Sequence, residues 1–104
     1  MDKKIETIVL RHFGNERGKT VLEKANSIYS DLLPLADNES KDRKKNLVDG
    51  IYPFVAIYKV LLQEKMSQDE AMEHMFAIMK INTIEGNRKM YQTLGKLPFF
   101  LFNL

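Results

Sequence analysis

The chain has no cysteine and no tryptophan, and only two histidines, three prolines and five glycines among 104 residues. Without cysteine there is no disulfide scaffold and no thiolate metal or redox centre, and the redox compartment stays unassigned. Charge of one sign is lacking too: 16 Lys and Arg stand against 14 Asp and Glu, a net +2. That balance gives no argument for nucleic acid or an anionic membrane as the main partner. No apolar run approaches the roughly 20 residues that a membrane span requires. The opening Met1-Asp2-Lys3-Lys4-Ile5-Glu6 is charged at once and lacks the apolar core of a signal peptide. A bacterial-type, cytoplasmic protein is the expectation. What is present is ordinary for a folded domain, 44% hydrophobic and 29% charged. The length fits one domain, residues 1–104.

The apolar residues recur at helical spacing, and no stretch of strand period is long enough to set against them. The expected fold is all-α: a compact bundle of four to five antiparallel helices around a central Pro-containing helix at about residues 41–64. The first helix, residues 3–13, has Asp2 to cap it and a stripe of Ile5, Ile8, Val9 and Phe13, with Gly14-Asn15 as a stop signal. His12 falls in its last turn, where the helix dipole favours a cationic imidazole. A second helix covers residues 16–33, ended by Pro34. Gly18 weakens its first turns by about 1 kcal/mol relative to Ala, which moves the expected start toward Lys19. The charge run Lys41-Asp42-Arg43-Lys44-Lys45 reads as an anion patch or as the solvated first turn of the third helix.

The most apolar periodic stretch is residues 46–62, NLVDGIYPFVAIYKVLL. Leu47, Ile51, Phe54, Val55, Tyr58, Leu61 and Leu62 share a face, and Val48, Tyr52 and Ile57 widen it nearly all round. A helix of this kind needs neighbours on several sides. Pro53 inside it removes one hydrogen bond and opposes the carbonyl of Asp49, four residues back. Either one kinked helix passes through, or one helix ends near Asp49 and another begins at Pro53. The continuous helix is favoured, because the apolar period crosses the proline without a phase jump. Ser67 and Glu70 form a capping box for a fourth helix through Ile81. Thr83 opens a fifth, to Leu94, and Pro98 starts a final turn over residues 99–104. Five of the six methionines lie in the second half, as core gap-fillers or as an adaptable surface.

Chemistry-bearing residues are few. Glu70-Ala71-Met72-Glu73-His74 reads E-x-x-E-H, which lacks the first histidine of the inverted zincin signature. A metal there would need ligands from other helices, such as His12 or Asp49, and the expectation is no metal and no cofactor. Asp49 is the more telling position. A carboxylate inside the most apolar helix must be paired, hydrogen-bonded or open to a cleft. Tyr52 and Tyr58, on either side of the break, are placed to line such a cleft. Asp49, Tyr52 and Tyr58 are therefore the candidate site residues, for a small-molecule ligand. The competing reading puts Asp49 on the solvent side of a kinked helix.

Residues 46–81 carry a further pattern, I-x-P-x-x-A-x-Y-K-x-L followed by S-x-x-E-A, made of Ile51, Pro53, Ala56, Tyr58, Lys59 and Leu61, then Ser67, Glu70 and Ala71. It resembles the L-2-amino-thiazoline-4-carboxylic acid hydrolase family of bacterial proteins. Lys3-Lys4-Ile5-Glu6-Thr7-Ile8 is similar to that family's first helix, and Gly95-Lys96-Leu97-Pro98-Phe99-Phe100 to the segment closing its helical half. The resemblance implies hydrolytic opening of a cyclic amidine to N-carbamoyl-L-cysteine. It transfers no catalytic residue, since the matched positions pack helices. It also implies that this domain is the N-terminal part of a longer architecture, whose second half contains cysteine. The apolar residues 98–104 need burial against this core, a missing domain or a twin chain, which points to a homodimer through the C-terminal segment. The alternative function is a non-catalytic helical interaction module that forms a homo-oligomer. A small DNA-binding factor ranks last, with scattered basic residues and no helix-turn-helix.

Overall fold

Each helix starts and stops where a side chain or a glycine can serve its loose backbone groups. In the computed structural model of the chain, which describes residues 1–86, helix α1 spans Lys3–Phe13. The Asp2 carboxylate caps it, accepting the Lys4 N–H at 2.8 Å. Gly14, at φ +87°, turns the chain directly into α2, Asn15–Leu32. Helix α2 thus starts earlier than expected and holds Gly18 inside it. The reason is packing: a Cβ at residue 18 would lie 2.9 Å from the Leu10 Cα and 3.3 Å from the Val9 carbonyl oxygen. Gly18 gives up helix propensity so that α1 can approach α2 closely.

A 3₁₀ turn, Leu33–Ala36, takes up Pro34. Ser40 then caps α3, Lys41–Asn46, its hydroxyl accepting the Arg43 N–H at 3.4 Å. The charge run is exposed and forms this short helix. From there the chain stays helical without a gap through a π segment, Leu47–Ile51, into α4, Tyr52–Gln63. The helix is continuous through the proline, as expected, but not in phase. The Tyr52 N–H donates to the Leu47 carbonyl, five residues back, so one extra residue is inserted. Only Ile51, at φ −119° and ψ −56°, leaves ordinary helical angles among the residues bounding the segment. The apolar pattern hid this shift because residues 51–58 are buried on every side.

Helix α4 ends in a Schellman motif. The Met66 N–H reaches the Leu61 carbonyl at 3.2 Å, and the Lys65 N–H reaches Leu62 at 3.0 Å. Lys65 holds the left-handed position, φ 65°, where glycine is usual. The Ser67 hydroxyl then accepts the Glu70 N–H at 3.2 Å and opens α5, Gln68–Gly86. Helix α5 runs past Ile81, so Thr83 lies within it and opens no fifth helix. Asn82 is buried within the same helix. The later part of the expected fifth helix and the final turn at 99–104 fall outside the described residues.

The architecture is an all-α bundle of antiparallel helices. Contacts run α1 to α2, α2 to α4, α4 to α5 and α5 back to α1, closing a ring. Ile5, Ile8, Val9, Val21, Phe54, Tyr58, Met75 and Ile78 are among the core residues. No strand occurs among the described residues, and none of their helices is long and apolar enough to cross a membrane.

Gly18→Ala is expected to lower stability despite its better helix propensity. The new methyl meets backbone rather than a flexible side chain, and overpacking of this kind costs about 1–3 kcal/mol. Urea unfolding should show a lower midpoint at unchanged slope. Lys65→Gly should do the opposite, by about 0.5–1 kcal/mol, the left-handed penalty of a side chain less the added freedom of unfolded glycine.

Candidate functional site

The break in the central helix is built to leave no backbone group stranded. Proline has no N–H, so in the shifted register the Val48 carbonyl, five residues before Pro53, loses its helical donor. The Tyr29 hydroxyl of α2 donates to that carbonyl at 3.1 Å. The shifted register thus transfers the polar demand from Asp49, where an unbroken α-helix would put it, to Val48. Burial, reinforced by Asp49 and Asp2, pushes the Tyr29 phenol above its ordinary value. It therefore stays protonated and able to donate across the neutral range.

Of the three residues singled out around the break, Asp49 is half-buried. Tyr52 and Tyr58 are core residues, 3% and 0% exposed. Burial, then Glu39, pushes the Tyr52 phenol up. Two surface clefts are lined by other residues. One, open and about 470 Å³, follows Phe13, Gly14, Asn15, Glu16, Arg17 and Thr20 at the α1–α2 turn. The other, about 350 Å³ and more enclosed, lies between α1 and α5, against Ile8, Arg11, His12 and Ile81.

This second cleft borders a side-chain pair that spans 62 positions of sequence. His12 Nε2 and His74 Nδ1 lie 2.8 Å apart, both imidazoles half-buried. The ring centroids are 5.1 Å apart, so the two rings meet nearly end to end through their nitrogens. Phe13 stands edge-on to His12 at 4.7 Å and lies 5.3 Å from His74. Over its ring sits the Arg17 guanidinium, 5.2 Å from the centroid, held in turn by Glu64 at 3.4 Å. Burial first, then the His74 and Arg17 charges, lower the His12 pKa from its ordinary 6.5. The helix-dipole preference for a cation at this position is overridden by desolvation and by two positive neighbours.

Local spacing held a signal for this pair. His12 follows Ile8 by four and Val9 by three, and His74 follows Ala71 by three and precedes Ile78 by four, so both sit on the inward stripes. Their pairing depends on how α1 and α5 meet, which no local pattern states. Chemically, one imidazole of such a pair can accept a proton while the other orients it. Among the described residues no group of three His, Asp or Glu is placed to hold a metal ion. Glu70 donates its backbone N–H to the Ser67 hydroxyl that caps α5.

Of the matched positions of the thiazoline pattern, Ile51, Pro53, Ala56, Tyr58, Leu61 and Ala71 are buried, Lys59 is half-buried, and Ser67 and Glu70 are exposed at the start of α5. Comparison with family models, with curated proteins and with solved structures finds no match to this chain.

Tyr29→Phe removes the donor to Val48 while keeping the ring. A loss of about 1 kcal/mol is expected, the usual net worth of one such hydrogen bond, rising toward the 1–3 kcal/mol of an orphaned carbonyl where water cannot replace the hydroxyl. Chemical denaturation of the two proteins measures it.

Proposed function

We propose that the chain is a helical docking module, related in build to the thiazoline carboxylate hydrolases, with α5 as its docking element and a second copy of the chain as its partner. The observation that carries this reading is the character of α5. Ala71, Met75, Ile78 and Met79 point into the core, yet Phe76 remains 45% exposed and Ile81 36%. Met72, one turn before Phe76, is half-buried. A helix apolar on most of its sides requires cover on more than one. Glu73 and Lys80 flank Phe76 at helical spacing. In an antiparallel two-fold contact centred on residues 76–77, Glu73 of one copy meets Lys80 of the other, an isologous arrangement that sets the register. The resemblance supports kinship of packing, since six of its nine matched positions are buried.

A second reading, hydrolysis by this chain itself, is favoured by the wall of the α1–α5 cleft. There a His12 imidazole held toward its neutral form is suited to take a proton from water. This reading moves the chemistry away from Asp49, Tyr52 and Tyr58.

Light scattering over a wide concentration range tests the first reading. A dimer is expected, and Phe76→Glu should convert it to a monomer of unchanged helical content; a strictly monomeric wild type would sink it. For the second, the purified chain is assayed for ring opening of the thiazoline carboxylate. Turnover that His12→Ala abolishes would establish catalysis, and absence of turnover would remove it.

A further inference from the structure

We infer that the His12–His74 pair is a proton-operated latch on the seam between α1 and α5, closed with one shared proton and opened by a second. The inference is independent of the docking reading and concerns a contact on the inner side of α5.

The geometry admits few occupants between the two nitrogens. A separation of 2.8 Å with the rings end to end is that of an N–H···N hydrogen bond. A metal ion in line between them would need two bonds of about 2 Å each, and so a gap wider by more than an ångström. The pair is therefore made for a proton. With both rings neutral, one nitrogen donates and the other accepts. Adding one proton to the free far nitrogen of the donor ring leaves that bond in place and makes it charge-assisted. Adding a second makes both rings cationic and puts an N–H on each facing nitrogen. The bond is lost, and two positive charges face each other in a half-buried site. Such a pair titrates in two coupled steps rather than as two independent histidines.

The surroundings sharpen the second step. From α1, Arg11 lines the same cleft as His12. From α2, Arg17 lies over Phe13, which touches both imidazoles. From the end of α4, Glu64 answers the Arg17 charge. On α5 itself Glu70 lies one turn before His74, exposed to solvent. The Arg17 guanidinium and the mutual repulsion oppose a doubly charged pair. Because folding lowers the His12 pKa, its contribution to stability is full above the ordinary value of 6.5 and is lost as pH falls from there through the lowered folded value. The loss falls on one seam of the ring. The pair joins α1 directly to α5, so acid loosens that seam.

The test uses the two histidines as their own reporters. Imidazole resonances of the intact chain are followed by NMR from pH 8 to pH 5, alongside the melting temperature at each pH. Both rings are expected to sense one shared step first and a second, separate step at lower pH. The wild-type melting temperature should fall by several degrees between pH 7 and 5.5. His74→Gln keeps a hydrogen-bonding side chain at that position without a titrating one, and its melting temperature should fall clearly less than that of the wild type over that interval, the remainder coming from the burial of His12. Independent single-step titration of both rings near 6.5 would overturn the inference, as would a His74→Gln protein that loses as much as the wild type. Should that variant not fold, the wild-type NMR titration decides alone.

Discussion

The rest of the structure depends on a proline set inside a helix that has no solvent side. Residues 51–58 are eight successive buried positions. On a surface helix, a missing N–H at Pro53 would be repaired by water. Here an unanswered carbonyl would cost about 1–3 kcal/mol, a large part of the total stability of a domain of this size. The chain avoids that cost in two linked ways. It widens one turn, so the carbonyl opposite the proline ring moves out of register, and it brings Tyr29 from α2 to the carbonyl left over. Fixing Tyr29 over Val48 fixes how α2 lies along α4, and the other helices pack around that pair.

Polar ties recur at the seams, while burial supplies most of the energy. Asn26 donates to the Glu6 carboxylate at 3.0 Å between α2 and α1. Arg17 reaches Glu64 between α2 and the end of α4, and His12 reaches His74 between α1 and α5. An exposed ion pair such as Arg17–Glu64 contributes little, about 0–1 kcal/mol. Its value is geometric: it orients the guanidinium over Phe13 and so places a positive charge beside the imidazoles. Gly18 acts in the opposite manner, by absence. With no side chain there, α1 comes close enough to α2 for its far side to meet α5.

Much of this fold could be read in the chain and some could not, for definite reasons. The caps at Asp2, Ser40 and Ser67 are local, and local chemistry names them. The buried central helix follows from its period. The π turn could not be seen, because an inserted residue shows only as a change of phase, and a helix buried all round has no phase to change. Helix propensity alone places the start of α2 too late, because the reason for Gly18 is Leu10 across from it. The cleft expected around Asp49, Tyr52 and Tyr58 followed from treating the break as an opening. The structure makes it a closed joint in which both tyrosines are core residues. The two histidines stood at core-facing positions in plain view, but only the crossing of α1 with α5 puts them in contact.

That contrast separates two kinds of irregularity. The π turn is an irregularity of backbone, answered from within by Tyr29 and closed off by the residues that follow it. The α1–α5 seam is an irregularity of side chains: two imidazoles where apolar residues would also have packed, at the edge of a cleft that solvent reaches. Ligands and protons act where they have access and where the groups they meet can change state. A buried peptide carbonyl held by a phenol does neither, whereas a half-buried imidazole pair does both. The seam is therefore the part of this fold equipped to respond.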